Sequence, residues 1–408
     1  MKNGYTIPGQ SCGASSIGVT APVLKSGDSI EDFVIDALKP FYESGALGDD
    51  DIVCVTESVV ARSQQNYVTL DNIAEDFARK LQISADDNVG IVFPILSRNR
   101  YSMMLHAFAR AAPNLTLLLG YPRDEQGNQL MSEEQIKQLG KNPYTDLIDM
   151  AEYDSLAPKF LHPFTHMNYV DYYREIMAQE GTNGAVYLGN DPLQIMRFAN
   201  KILVSNIPGR FSDKEKLKEA GAQHVITLDE VCNEPSTAHG YNPQFGLLGS
   251  NISNPAIEQL KLFPRDGDLY AKRIQDRLLA EYGKKMHVII YGDGAYKDPT
   301  SQVWELADPE VAAGCTPEIK DRVPKELKFK YLADKYTAQG MSHEQIAAQI
   351  RHDIDHKEAD LEKRFESQGT TPRYVRNLIG SLADLTSGSG DRGTPIVLVK
   401  NYFTNWTS

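Results

Sequence analysis

The sequence predicts a mixed α/β or α+β fold, and three features support this prediction. Short apolar runs alternate with amphipathic segments along much of the chain, as at 89–96, 115–120, 202–208 and 224–228. The length of 408 residues corresponds to two or three domains. Apolar residues make up 41% and charged residues 24% of the chain, which is typical of globular proteins and sufficient for several cores.

Apolar periodicity predicts the elements of the first half of the chain. Ser29 or Asp28 can cap a first helix, because apolar residues follow along one helical face. The β-branched run at 51–61 predicts a buried strand. Helices are expected at 72–81 and 99–112, and long surface connections with short helices at 121–180.

The second half of the chain shows the same two kinds of pattern. Residues 269–282 predict a helix that ends at Gly283 and leads into an apolar strand at 286–291. The charged, periodic stretch 343–367 predicts one long helix. A helix at 373–385, a glycine-rich loop and an edge strand at 395–403 follow.

Charge and composition argue against several classes of protein. The formal net charge is −13, so a broad basic surface for nucleic acid is not expected. The longest apolar runs are far too short to span a bilayer, and the first residues contain no apolar secretory segment. The four cysteines are widely spaced, which favours reduced thiols in a cytoplasmic protein over zinc sites or disulfides.

The loop at 387–394 (SGSGDRGT) is the densest functional signal. Its glycines match G-x-G-x-x-G, but a helix precedes and a strand follows, which is the reverse of a dinucleotide-binding turn. Successive glycines still allow backbone N–H groups to converge on an anion, and Arg392 adds a positive charge. The alternative is a flexible connection without a ligand.

A second signal is the turn GDG that directly follows the predicted strand at 286–291. Ligands of open α/β sheets gather at the carboxyl ends of strands, and Asp293 there can hold Mg²⁺ or Mn²⁺. An ordinary turn is the alternative, because Asp and Gly are common turn formers. His352 and His356 are spaced like zinc ligands, but the charged residues around them favour a solvated helix face.

Five blocks of the sequence, read in order, resemble the coenzyme F420-0:L-glutamate ligase family, the γ-glutamyl ligases of the deazaflavin coenzyme. They are APVLKSGD at 21–28, DIVCVTESVVAR at 51–62, GSNISNPAIEQLKLFPRDGD at 249–268, VIIYGDGAY at 288–296 and SGSGDRGTPIVLVKNYF at 387–403. The resemblance implies a ligase core with a mixed sheet, formed by residues 1–90 together with 246–408. Residues 91–245 have no counterpart in these blocks and are expected to form an inserted α/β subdomain, either over the acceptor site or as scaffold or dimer surface.

The resemblance also implies which residues bind the nucleotide and the metal. Arg62, where the family usually has lysine, and Asp293 are the expected catalytic residues. Asp293, Asn251 and Ser389 fall on metal-binding positions, the last two in place of carboxylates. A divalent ion is therefore held less tightly unless Asp391 or Asp298 substitutes. The expected nucleotide contacts are Ala21, Pro22, Val23, Leu24, Glu57, Ser58, Arg62, Asn254, Ser387, Gly388, Ser389, Gly390, Asp391, Arg392, Gly393 and Thr394.

The activity implied by the resemblance is GTP-dependent amide-bond formation with Mg²⁺ or Mn²⁺. The carboxylate of a small-molecule acceptor attacks the γ-phosphate, and the amine of L-glutamate then displaces phosphate from the acyl phosphate. The same chemistry on a folate or another acceptor, and a nucleotide-binding protein without catalysis, remain open. A homodimer is expected by resemblance alone.

Overall fold

The computed structural model describes residues 13–294, 308–358, 361, 364–367, 373–387 and 391–404 and has the expected mixed α/β architecture. The described strands are β1 (Ser15–Val19), β2 (Ile52–Thr56), β3 (Tyr67–Thr69), β4 (Asn88–Val92), β5 (Asn114–Leu119), β6 (Asn183–Leu188), β7 (Lys201–Val204), β8 (His224–Thr227), β9 (Asn251–Asn254), β10 (Gln259–Lys261), β11 (His287–Tyr291), β12 (Ala312–Cys315) and β13 (Ile396–Lys400).

The described α-helices connect and cover these strands. They are α1 (Ile30–Glu43), α2 (Glu57–Ser63), α3 (Leu70–Leu81), α4 (Tyr101–Ala111), α5 (Glu133–Leu139), α6 (Met150–Asp154), α7 (Tyr169–Gln179), α8 (Arg210–Glu219), α9 (Gly267–Tyr282), α10 (Pro317–Lys320), α11 (Phe329–Ala338), α12 (His343–Asp355) and α13 (Val375–Ser387). No helix of the described residues is both long and apolar enough to cross a membrane.

The first sheet is mixed and has the strand order β1-β13-β2-β11-β12. Strand β11 runs parallel to β2, and the other neighbouring pairs are antiparallel. The prediction that 395–403 forms an edge strand is wrong, because β13 lies between β1 and β2. Its run from Ile396 to Val399 is fully buried, and a continuous apolar run is typical of a strand covered on both faces.

The second sheet is entirely parallel and has the order β6-β5-β4-β7-β8. The strand order reverses between β4 and β7, so the carboxyl end of β4 lies at a topological switch point, where ligands of parallel sheets bind. Phe93, the next residue, has a left-handed φ of 54°, and this turn takes the chain out of the sheet. The sheet lies within residues 88–227; the predicted division into a core and an inserted subdomain stays a prediction.

The third sheet is small and antiparallel, with the order β3-β10-β9. Its buried residues Val68 and Leu260 belong to the same hydrophobic cluster as Leu115 of the parallel sheet and Phe77 of α3. A shared apolar cluster holds β3, α3 and β10 against the parallel sheet.

Three predictions about individual segments are wrong: two elements end earlier than expected, and one expected surface connection is partly buried. The strand expected over 51–61 ends at Thr56, and α2 begins at the next residue, since the buried residues Glu57, Val60 and Ala61 follow the helical spacing i, i+3, i+4. The helix expected over 343–367 ends at Asp355, because its apolar residues recur every fourth position only as far as Ile354. The segment 121–180 contains the expected short helices but is not a surface connection: Tyr121, Met131, Ile148 and Tyr153 are buried.

Glu125, in the segment after β5, has a buried carboxyl group that links the stability of the protein to pH. Its Oε1 accepts a hydrogen bond of 2.6 Å from the backbone N–H of Ile207, and its Oε2 is buried without a partner among the described residues. Burial raises the pKa of Glu125 to about 8, from an ordinary value of 4.5. The folded protein therefore binds a proton that the unfolded chain releases at lower pH.

We expect the free energy of unfolding to fall as pH rises from 4.5 to about 8 because of this carboxyl group. Glu125→Gln keeps the shape and removes the titration, so it should be more stable than the unaltered protein at the upper end of this range by on the order of 2 kcal/mol. Urea unfolding at several pH values measures the difference, with the exposed Glu133→Gln as the control. If the free energy of unfolding changes with pH in the same way for the unaltered protein and for Glu125→Gln, the pKa of Glu125 is not raised in the folded protein.

Candidate active site

A cleft of about 820 Å³ lies where the first sheet faces the loop that follows β4. Its walls combine chain segments that are far apart in sequence: the segment after β1, the start of α2, the turn after β11 and the end of α13. Residues 95–100 provide the wall from the parallel sheet, together with Gln126, Asn128, Thr165 and Tyr169.

The structure brings most of the described predicted site residues to this cleft. Those that line it are Ala21, Pro22, Val23, Leu24, Glu57, Ser58, Arg62, Asn251, Asp293, Ser387, Gly393 and Thr394. Asn254 lines a neighbouring cleft of about 760 Å³, and Arg62 is the only described residue that lines both. Asp391 and Arg392 are exposed and line neither cleft. Gly388, Ser389 and Gly390 lie outside the described residues, as does Asp298.

Backbone hydrogen bonds join the segment 21–24 to the loop before β13. The Ala21 N–H donates to the Gly393 carbonyl at 3.1 Å, and the Thr56 N–H donates to the Pro395 carbonyl at 3.0 Å. The Thr394 hydroxyl donates to the Ser387 carbonyl at 2.6 Å, which ties the end of α13 to the same loop. Three of the blocks identified in the sequence thus form one wall of the cleft.

The turn Gly292-Asp293-Gly294 after β11 is held by two further carboxylates. The Asp293 N–H donates to Asp308 Oδ2 at 2.8 Å, and the Gly294 N–H donates to Asp384 Oδ2 at 2.9 Å. A Cβ atom on Gly292 would lie 2.5 Å from Asp308 Oδ2, so only glycine allows this approach. Burial raises the pKa of Asp384, and Asp308 adds to the shift while the Gly294 N–H opposes it.

The guanidinium of Arg100 binds two carboxylates at this site, those of Asp308 and Asp293. Its Nη1 donates to Asp308 Oδ1 and its Nη2 to Asp293 Oδ2, both at 2.9 Å. Burial opposes the charged form of Arg100, but Asp308, Asp293 and Glu57 outweigh it and raise its pKa. The Arg100 side chain is 15% exposed and that of Asp308 only 1%, so this charge pair is shielded from water.

Glu57 is paired inside the protein by a lysine from β10. Lys261 Nζ donates to both carboxylate oxygens of Glu57, at 2.7 and 2.5 Å, and both residues are buried. Burial raises the pKa of Glu57, while the charges of Lys261 and Arg100 oppose the rise. Glu57 lines the cleft, but its carboxylate is bound by Lys261. This contact joins α2 to β10.

The donors at this site do not fit a divalent ion held by the protein alone. Mg²⁺ and Mn²⁺ need several free oxygen ligands around one point. Asp293 and Asp308 are instead bridged by Arg100, and Asn251 is a neutral amide. Within the described ranges, no group of three or more His, Cys, Asp or Glu side chains is placed to hold a metal ion. The predicted metal role of Asp293, Asn251 and Ser389 stays a prediction.

Sequence reasoning missed four charged residues of the site: Arg100, Lys261, Asp308 and Asp384. The sequence SRNR after the strand at 89–92 carried a usable signal, because polar residues at the carboxyl end of a parallel strand often face a ligand. Asp384 precedes the glycine-rich loop by three residues. We find no sequence pattern that would have selected Lys261 or Asp308.

Comparison with known proteins agrees with the resemblance found in the blocks. A sequence model of the family described as F420-0:Gamma-glutamyl ligase matches residues 18–401. The matched range includes every residue shown above to line the main cleft. A search among curated proteins found no match.

Proposed function

Because the chain belongs to the F420-0:gamma-glutamyl ligase family, we propose that it joins L-glutamate to a carboxylate acceptor of the F420-0 type, using GTP. The observation that carries this proposal is the convergence of separate sequence blocks on one cleft, with Arg62 and Asp293 in its walls. A cleft of about 820 Å³ is of the size that binds small molecules.

The proposed reaction has two steps. A carboxylate oxygen of the acceptor attacks the γ-phosphorus of GTP, the bond to the β-phosphate oxygen breaks, and GDP leaves. The α-amine of L-glutamate then attacks the carbon of the acyl phosphate, loses a proton and expels inorganic phosphate. The product is an amide, and one GTP is consumed for each glutamate added.

Such a reaction needs positioning and charge neutralisation more than a nucleophilic side chain. Arg62 suits this role because it lines both clefts and its Nε is buried without a hydrogen-bond partner among the described residues. A phosphate or carboxylate oxygen can accept from such a donor. We propose Mg²⁺ or Mn²⁺ as the ion that GTP carries on its phosphates, and a homodimer as the assembly.

The test is to incubate the protein with GTP, Mg²⁺, L-glutamate and F420-0 and to measure phosphate and products together. We expect one phosphate released for each glutamyl group that mass spectrometry finds on the acceptor, and little release when glutamate or acceptor is omitted. Arg62→Met should lower this rate about a hundredfold or more. The exposed Arg277→Met is the matched control. Phosphate release that is independent of glutamate would contradict the proposal.

A second candidate is the same chemistry on another carboxylate, such as a folate. It is favoured by the side chains of Gln126, Asn128, Thr165 and Tyr169, which line the cleft and come from outside the five blocks. Parallel assays with F420-0 and with a folate distinguish the two acceptors by which one gains glutamate.

A further inference from the structure

Arg100 lies between two carboxylates of the main cleft, Asp293 and Asp308. It follows β4 by eight residues, and its guanidinium reaches Asp293 in the middle of the turn after β11 and also Asp308. Each of its two terminal nitrogens binds a different carboxylate at 2.9 Å. Two carboxylates that share one planar cation in this way are cross-linked, and the cation offsets one of their two negative charges.

The loop that presents Arg100 is held firmly from three sides. The Leu96 N–H donates to Asp124 Oδ2 at 2.8 Å, and the Ser97 N–H donates to the Tyr173 hydroxyl at 3.0 Å. The Asn99 carbonyl accepts from the Ile252 N–H of β9 at 3.1 Å. The Ser97 hydroxyl accepts from the Arg100 N–H at 3.1 Å. The position of Arg100 is therefore set by the segment after β5, by α7 and by β9 together.

Burial makes a cation at this point necessary. The Asp308 side chain is 1% exposed, and that of Asp293 is 20% exposed. A buried carboxylate without a compensating charge is strongly unfavourable. In this chain the positive charge comes from a side chain of the protein.

We propose that Arg100 takes the place of a protein-bound divalent cation between Asp293 and Asp308. Without nucleotide, the protein then holds no Mg²⁺ or Mn²⁺ at these carboxylates, and the fixed guanidinium supplies the local positive charge. The proposed role of Arg100 applies to the protein without nucleotide, and it does not depend on the proposed ligase reaction.

The test uses Mn²⁺ alone, without nucleotide, glutamate or acceptor. Electron paramagnetic resonance measures free Mn²⁺ in titrations of the unaltered protein, Arg100→Ala and the control Arg277→Ala, which changes an exposed arginine of α9 that does not line the cleft. We expect Arg100→Ala to bind one Mn²⁺ per chain at least about tenfold more tightly than the other two proteins. Adding Asp293→Asn to Arg100→Ala should abolish this binding.

Thermal unfolding gives a second readout. Arg100→Ala should melt at a lower temperature than the unaltered protein, and Mn²⁺ should restore part of the loss by binding the folded state. Should Arg100→Ala not fold, Arg100→Gln is titrated in its place, because its amide can still donate to one carboxylate. Mn²⁺ binding to the unaltered protein that Asp293→Asn removes would overturn the proposal. Failure of every folded Arg100 variant to bind Mn²⁺ would overturn it as well.

Discussion

Replacing Asp293 by alanine is expected to lower glutamate-dependent phosphate release from GTP by at least about a hundredfold, while the fold stays intact. Asp293 is the middle residue of the turn after β11 and lines the cleft, and its carboxylate binds one side of the Arg100 guanidinium. Without this carboxylate, Arg100 is held by Asp308 alone and can rotate away from its position. The fold survives because the more deeply buried Asp308 keeps its pairing with Arg100.

Phosphate release and thermal unfolding, measured on the same preparations, check this expectation. Asp276→Ala, which removes an exposed carboxylate from α9, is the matched control and should match the unaltered protein in both measurements. Unchanged turnover in Asp293→Ala would remove Asp293 from the site. Loss of turnover together with loss of folding would give Asp293 a structural role.

Replacing Lys261 by methionine is expected to lower the free energy of unfolding by about 3–5 kcal/mol, the largest loss among the substitutions proposed for this protein. Lys261 is 6% exposed and Glu57 is 8% exposed, and each is the other's direct charge partner. Methionine fills a similar volume but leaves the Glu57 carboxylate buried and unpaired, so that the carboxylate must be protonated or drawn to Arg100. Urea unfolding at neutral pH measures this loss.

The double variant Glu57→Gln with Lys261→Met separates the pair from its packing. We expect it to recover much of the lost stability, because neither charge is then left alone in the interior. If Lys261→Met alone changes the free energy of unfolding by less than about 1 kcal/mol, the pair is better solvated than its burial indicates.

The sequence was informative where one local pattern determines the structure. The helix that begins after Ser29 and the strands β4, β5, β7, β8 and β11 follow directly from apolar periodicity and capping residues. The Gly283 end of α9 is another local signal that the structure confirms, with a φ of 63°. The central position of β13 was not predictable in this way, since an apolar run does not say which strands lie beside it.

The candidate site shows the same limit more strongly. Two segments that line the cleft carry their own signal in the sequence: the glycine-rich loop that contains Gly393, and the turn after β11. The segment 21–24 was selected only by its resemblance to a block of the family. Arg100 and Asp308 are partners across 208 positions of sequence, and Glu57 and Lys261 across 204. Pairing over such distances depends on how the sheets pack together, and no local pattern encodes it.

The most direct test of the account is electron density from crystals of the protein soaked with a non-hydrolysable GTP analogue and Mg²⁺. We predict that the triphosphate lies in the main cleft, between the segment 21–24, the Arg62 side chain and the loop that contains Thr394. Nucleotide density elsewhere on the protein would contradict the central claim that these segments together form a nucleotide site. So would a main cleft without nucleotide density at a saturating concentration of the analogue.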